Sequence, residues 1–336
     1  MRKLTLITCV LLILANHTFA QDPHFSQFFA SPLTLNPAFT GKFDGTLRAA
    51  GNYRNQWPTI NRAYQTATLS VDAPIMQDHI ADNDRWGLGG MGFTDKSANG
   101  AVAFNYFSLS TAYHKGLDED GYQQLSLGFQ ATYANMMINT SELKFEDQLT
   151  TSGFTGVSSE IFNGSTLKSN YFDLNAGLLY SASTSDRNNF YAGVSVYHIN
   201  RPKQQFTGAL YLLDPRVTFQ AGGYFPVGYT TTLHLSAMTS SQAKANETLI
   251  GGALQVEAGS ETMEKPVSFY FGGWMRMKDA IIPYIGLEVA DFRLGVTYDV
   301  NTSKLKTGSN GRGGMEISLI YTHRPSDRKS LPCPKF

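Results

Sequence analysis

Gln124–Tyr133 reads QLSLGFQATY, and its side chains alternate without a break. Leu125, Leu127, Phe129, Ala131 and Tyr133 fall on one face; Gln124, Ser126, Gly128, Gln130 and Thr132 fall on the other. Successive side chains point to opposite faces only in an extended strand, so this period of two predicts a β-strand with one apolar and one polar side.

The same period extends in both directions. Towards the N-terminus it marks Thr46–Gln56, Tyr64–Asp72, Trp86–Thr94 and Ala101–His114. Towards the C-terminus it marks Tyr171–Ser181, Phe190–His198, Arg216–Phe225, Thr231–Met238, Thr248–Val256, Ser268–Arg276, Ile281–Val289, Phe292–Val300 and Gly314–Thr322. These are fourteen segments of about ten residues, the length a tilted strand needs to cross a bilayer. A soluble β-sandwich also alternates, but its strands run to about five or six residues and it has no use for aromatics at strand ends. Tyr53, Trp57, Tyr64, Trp86, Tyr113, Tyr133, Tyr180 and Tyr321 sit at or near segment ends, as the interfacial girdles of an outer-membrane barrel require. Strands in lipid must close to satisfy their backbone groups. The expected fold is therefore all-β, a transmembrane antiparallel β-barrel of about 14 strands over residues 46–322.

Composition agrees. Charged residues make up 16% of the chain, against about 25% for a typical soluble protein. Aromatics reach 12% and the formal net charge is zero, which gives no electrostatic footprint for nucleic acid. Arg2 and Lys3, the apolar run Leu4–Leu14 and Thr18-Phe19-Ala20 have the form of a secretory signal peptide over residues 1–20. Export would leave Cys333 as the one cysteine, so neither an internal disulfide nor a cysteine-based metal site is expected.

Between leader and first strand lies QDPHFSQFFASPLTLNPAFTG, Gln21–Gly41, part of a short proline-rich N-terminal arm over residues 21–45. Proline disfavours helix in the residue before it, so the easiest helical turn is Phe28–Ser31 and the rest is expected to be extended and turn-rich. Strand parity places the arm on the periplasmic side, together with a C-terminal tail at residues 323–336. Its aromatics then have two homes, the barrel lumen or a periplasmic partner. The same parity sends the longest irregular stretches, Ala134–Asn170 and Asn200–Pro215, to the cell exterior, where outer-membrane barrels carry their long loops.

Motifs for chemistry are weak. Gly87, Gly89 and Gly92 have G-x-G-x-x-G spacing, but no helix follows to face a pyrophosphate. Glycines in a strand more simply let neighbours pack or relieve curvature. His24, His79, His114, His198, His234 and His323 show no metal-ligand spacing. Asp78–Asp84 and Asp118-Glu119-Asp120 lack the order of a calcium loop. A Ser-His-Asp hydrolase site assembled from separate strands is a third class beside anchor and pore. No cofactor is expected.

At the arm the sequence becomes specific. Asp22-Pro23-His24-Phe25-Ser26-Gln27-Phe28 and Pro32-Leu33-Thr34-Leu35-Asn36-Pro37-Ala38-Phe39-Thr40-Gly41 resemble the opening of the PorP/SprF family of Bacteroidetes membrane proteins. Tyr53-Arg54-Asn55-Gln56-Trp57, the stretch His198–Phe206, Gly314–Leu319 and the closing Pro332–Phe336 resemble other parts of that family. The resemblance implies a non-enzymatic outer-membrane barrel of the type IX secretion and gliding machinery. Its implied partners are a secreted adhesin, bound through the adhesin's C-terminal domain, and secretion components on the periplasmic side, within outer-membrane lipid. The alternative is a diffusion porin or transporter. Candidate partner-binding residues are Phe25, Phe28, Phe29 and Phe39 in the arm, and Phe206 and Tyr211 in the connection after residue 199.

Overall fold

The computed structural model describes residues 22–60, 64–162, 164–185, 188–206, 209–258, 267–304 and 306–325. The expected signal peptide and residues 326–336 of the expected tail lie outside the described residues. Fourteen strands close into one antiparallel barrel in chain order. They are β1 (Leu47–Gln56), β2 (Tyr64–Ile75), β3 (Arg85–Ser97), β4 (Val102–Gly116), β5 (Gln123–Asn139), β6 (Thr166–Ser185) and β7 (Asn188–Tyr197). The second half comprises β8 (Arg216–Pro226), β9 (Thr231–Gln242), β10 (Ala245–Ala258), β11 (Val267–Arg276), β12 (Ala280–Val289), β13 (Phe292–Asn301) and β14 (Arg312–His323). All fourteen expected segments are strands. β14 pairs with β1, Ile317 facing Tyr53, and that closure leaves no open sheet edge.

The two faces are inverted relative to a water-soluble sheet. Along β5 every second residue from Gln124 to Ala134 is buried, while Leu125, Leu127, Phe129, Ala131 and Tyr133 are exposed. On β4, Phe107 and Leu109 are each 72% exposed. A continuous outward apolar belt of this kind is costly in water and at ease in hydrocarbon. Aromatic pairs mark its two rims: Tyr133–Phe172 at 5.4 Å towards one end, Tyr180–Phe190 at 6.1 Å and Phe292–Tyr321 at 4.9 Å towards the other.

Connections differ between the ends. One end carries 140–165 and 198–215; the other carries shorter links such as 117–122, 227–230 and 290–291. Long loops face the cell exterior in barrels of this class, so β1 starts and β14 finishes at the periplasmic rim. The expected loop Ala134–Asn170 is shorter than anticipated. β5 and β6 project above the apolar belt, and their ladder continues to Asn139 opposite Thr166. Within 198–215, Lys203–Phe206 pairs with Ala209–Leu212 as a small hairpin.

The arm is turned rather than straight, and the helical turn expected at Phe28–Ser31 falls at Phe28–Ala30. It makes three short turns, Phe28–Ala30, Pro32–Leu35 and Pro37–Phe39. Proline lacks an N–H but costs nothing at the first position of a helical turn, where that group has no partner. Pro32 and Pro37 both occupy such positions.

Candidate functional site

The lumen is not empty: the arm runs through it. Asp22 lies at the long-loop end, where Gln242 at the end of β9 donates to it at 3.2 Å and its own N–H donates back at 2.9 Å. Gly41 reaches the opposite rim, where its N–H donates to Asp72 near the end of β2 at 2.7 Å. The arm therefore starts at the exterior end and descends through the barrel before β1 begins. Parity alone left it in the periplasm; the structure corrects this, because the chain doubles back inside the wall.

Wall and arm are shaped for each other. Gly128 of β5 and Gly177 of β6 point inwards, and a Cβ on either would overlap Ala38 or Asn36. In that space the Asn36 side chain accepts from Ala38 N–H at 2.8 Å and donates to the Leu178 and Val194 carbonyls, each at 3.2 Å. One amide thereby joins the arm to two strands. Gly87 is crowded by the Thr40 carbonyl in the same way, whereas Gly92 has open space. The glycine spacing in β3 thus serves close backbone approach, not a phosphate.

Charges hold the upper part of the arm. Glu316 of β14 accepts the N–H groups of Ser26 at 2.7 Å and Gln27 at 2.8 Å. Asp299 of β13 accepts from Ser26 Oγ and pairs with Arg54 at 3.0 Å and Arg276 at 2.9 Å. Arg276 also pairs with Glu247 at 2.8 Å, and Glu247 meets His24 of the arm at 2.9 Å. Lower down, Arg48 and Asp72 form a buried two-point pair, with Arg48 also donating to the Phe39 carbonyl. His114 is wholly buried between Ser126 Oγ and the Thr40 carbonyl. Such charges are tolerated because each meets fixed partners.

Asp22 closes the upper end. Its Oδ2 lies 2.6 Å from His198 Nε2 and 3.5 Å from Arg216, while His198 Nδ1 lies 2.9 Å from Asp173. Burial alone would depress the His198 pKa, but the flanking Asp22 and Asp173 carboxylates outweigh it and raise the pKa to about 9. Burial would likewise raise the Asp22 pKa, and His198 and Arg216 overturn that to hold it far below the usual carboxylate range.

The expected partner-binding aromatics separate into two groups. Phe25, Phe28 and Phe39 are buried, at 3%, 3% and 1% exposure. Phe25 meets Phe93 edge-on and Phe39 meets Tyr191 edge-on, while the half-buried Phe29 stacks on Trp274 at 4.5 Å. Burying a phenylalanine contributes about 1.5–3 kcal/mol, so these rings attach the arm to its own wall. Tyr211 is 60% exposed on the outer hairpin; the Phe206 side chain lies outside the described residues. Sequence reasoning did not join Arg54 to Asp299 or Glu316 to Ser26, because these partners lie 245 and 290 residues apart.

Between the first residues of the arm and the long-loop ends of β1–β4 is a cavity of about 570 Å³. Trp57, Tyr64, Asp95, Phe104, Tyr106 and Gln204 contribute to its lining. No metal-competent cluster of three or more His, Cys, Asp or Glu occurs among the described residues.

Solved structures with similar chain paths are outer-membrane barrels. The toluene transporter TodX of Pseudomonas putida has 8% identity, covers 90% of this chain and 95% of its own, and superposes with a TM-score of 0.48. The toluene transporter TbuX of Ralstonia pickettii has 9% identity, with 88% and 94% covered and a TM-score of 0.46. BamA of Haemophilus ducreyi has 11% identity, with 83% and 70% covered and a TM-score of 0.42. No curated protein matches the chain. The family described as type IX secretion system membrane protein PorP/SprF matches residues 17–321, and the chain belongs to that family.

Proposed function

We propose that this protein is a plugged, non-enzymatic outer-membrane barrel that binds a secreted surface adhesin and helps export or anchor it through the adhesin's C-terminal domain. Membership of the PorP/SprF family supplies the secretion context and implies interaction with secretion components. The observation that carries the anchoring reading is the filled lumen. An arm fixed by Glu316, Asp299, Asp72 and Asn36 suits a barrel that holds a partner at its mouth better than one that conducts solutes. The external connections offer surface for docking: Val157 and Ile161 of 140–165 are above 90% exposed, and Leu210 and Tyr211 of the hairpin are above 50%. Exposed apolar side chains clustered on loops favour protein contact.

Affinity purification of the intact protein from its native outer membrane tests the proposal. A large secreted protein should co-elute, and should be lost when residues 144–160 are deleted while the barrel still assembles. A barrel that purifies alone and passes a steady ion current would instead be a porin.

A further inference from the structure

The cavity at the long-loop mouth has a chemistry that the anchoring function does not use. Three titratable side chains other than tyrosine line it, Asp22, His24 and Asp95. Two have close partners of their own: Asp22 meets His198 and Arg216, and His24 meets Glu247. Asp95 is different. It is 3% exposed and accepts one hydrogen bond, from Thr66 Oγ1 at 2.6 Å. Among the described residues it has no basic group within ion-pair distance. Arg54 and His24 act on it only at longer range, so the cavity presents one carboxylate without a direct counter-ion.

The surrounding walls narrow the choice of ligand. Trp57 and Tyr64 meet edge-to-face at 5.6 Å on one side, and Phe104 and Tyr106 lie 6.4 Å apart on the other. Aromatic faces attract ammonium and guanidinium groups, most strongly where water is excluded. A calcium ion takes six to eight oxygens, several of them carboxylates or carbonyls, and one carboxylate among aromatic rings does not provide them. At about 570 Å³ the space lies in the size range of small-molecule sites. Gln204 of the hairpin, which donates to Tyr171 Oη at 3.3 Å, adds a polar group above it.

We propose that this vestibule is a binding site for an organic cation, a guanidinium or alkylammonium group reaching it from the exterior, with Asp95 as counter-charge and Trp57, Tyr64, Phe104 and Tyr106 as an aromatic cage. The site stands independently of the anchoring reading, since a free small cation would occupy it without any adhesin.

Titration of the full-length protein in detergent with L-argininamide tests it, using calorimetry and the emission of Trp57. L-citrullinamide, in which a neutral urea replaces the guanidinium, is the matched control. Saturable binding of argininamide, with quenching lost in Trp57→Phe, is expected; citrullinamide should bind about tenfold or more weakly. Asp95→Asn should lose about tenfold or more in affinity, and Tyr64→Leu, on the half-open rim, about two- to fivefold. Should Asp95→Asn fail to fold, Tyr64→Leu and the citrullinamide comparison decide. Absence of saturable binding, equal binding of the two amides, or wild-type affinity in a folded Asp95→Asn protein would each overturn the proposal.

Discussion

Glu316 of the last strand holds Ser26 of the arm through a backbone N–H at 2.7 Å, across 290 residues of sequence. The second carboxylate oxygen takes the next N–H, from Gln27, at 2.8 Å. Both residues are buried, and removing their acceptor leaves two buried donors without a partner. Glu316→Ala should therefore destabilise the protein by about 3 kcal/mol in urea unfolding from lipid vesicles. Protease should reach the arm more readily while the barrel ladder stays intact.

Glycines in the wall separate steric from generic effects. Gly177→Ala places a methyl where the Asn36 amide now lies, and Gly128→Ala does the same to Ala38. Each should cost about 1–3 kcal/mol by forcing the arm away. Gly92→Ala, which meets nothing within 4 Å, should be close to neutral. Thermal unfolding of the three variants side by side gives the comparison.

The Asp22–His198 contact is a pH-dependent latch. The His198 pKa is raised from 6.5 to about 9, so its stabilisation is full below about pH 6.5, declines as pH rises and is gone above about pH 9. The corresponding free energy is of order 3 kcal/mol. Asp22 has its pKa lowered, so its contribution is full above its unfolded value of 3.8 and falls away below it. The groups facing this contact are Asp173 and Arg216. Amide exchange at residues 22–26 should accelerate from pH 7 to pH 9.5 beyond the intrinsic base-catalysed rate, and His198→Gln should abolish that excess.

The outward face tests the bilayer directly. Leu109, near the middle of β4, is 72% exposed and apolar. Leu109→Arg should cost about 2–4 kcal/mol for folding into vesicles if that face meets lipid. In contact with water, the same change would be nearly neutral.

Much of this was legible in the sequence, and for a physical reason. In a barrel each residue of a strand faces either lipid or lumen, so Leu125–Gln130 alternates by itself and predicts its own strand. Strand length and the aromatic ends, Tyr53 and Tyr321 among them, then fix the bilayer. The arm's place was not legible. Nothing local to Asn36 indicates that it fits over Gly177, 141 positions on, since that fit exists only once β6 curves around it. Parity carries β1 outward from the periplasmic rim but does not register a segment that lies inside the wall. The inward ion pairs were not legible either. The structure gathers Arg54, Arg276, Asp299 and Glu316 from four strands into one buried cluster around Ser26. Proline was read only for its effect on the residue before it, whereas Pro32 and Pro37 each begin a further helical turn.

The filled lumen is tested most directly by planar-bilayer conductance of the intact protein beside a variant lacking residues 22–41. The intact protein should give no steady ion current, and the variant should open a stable conductance once the arm no longer fills the fourteen-strand barrel. Steady current through the intact protein, unchanged on removing the arm, would contradict the plug.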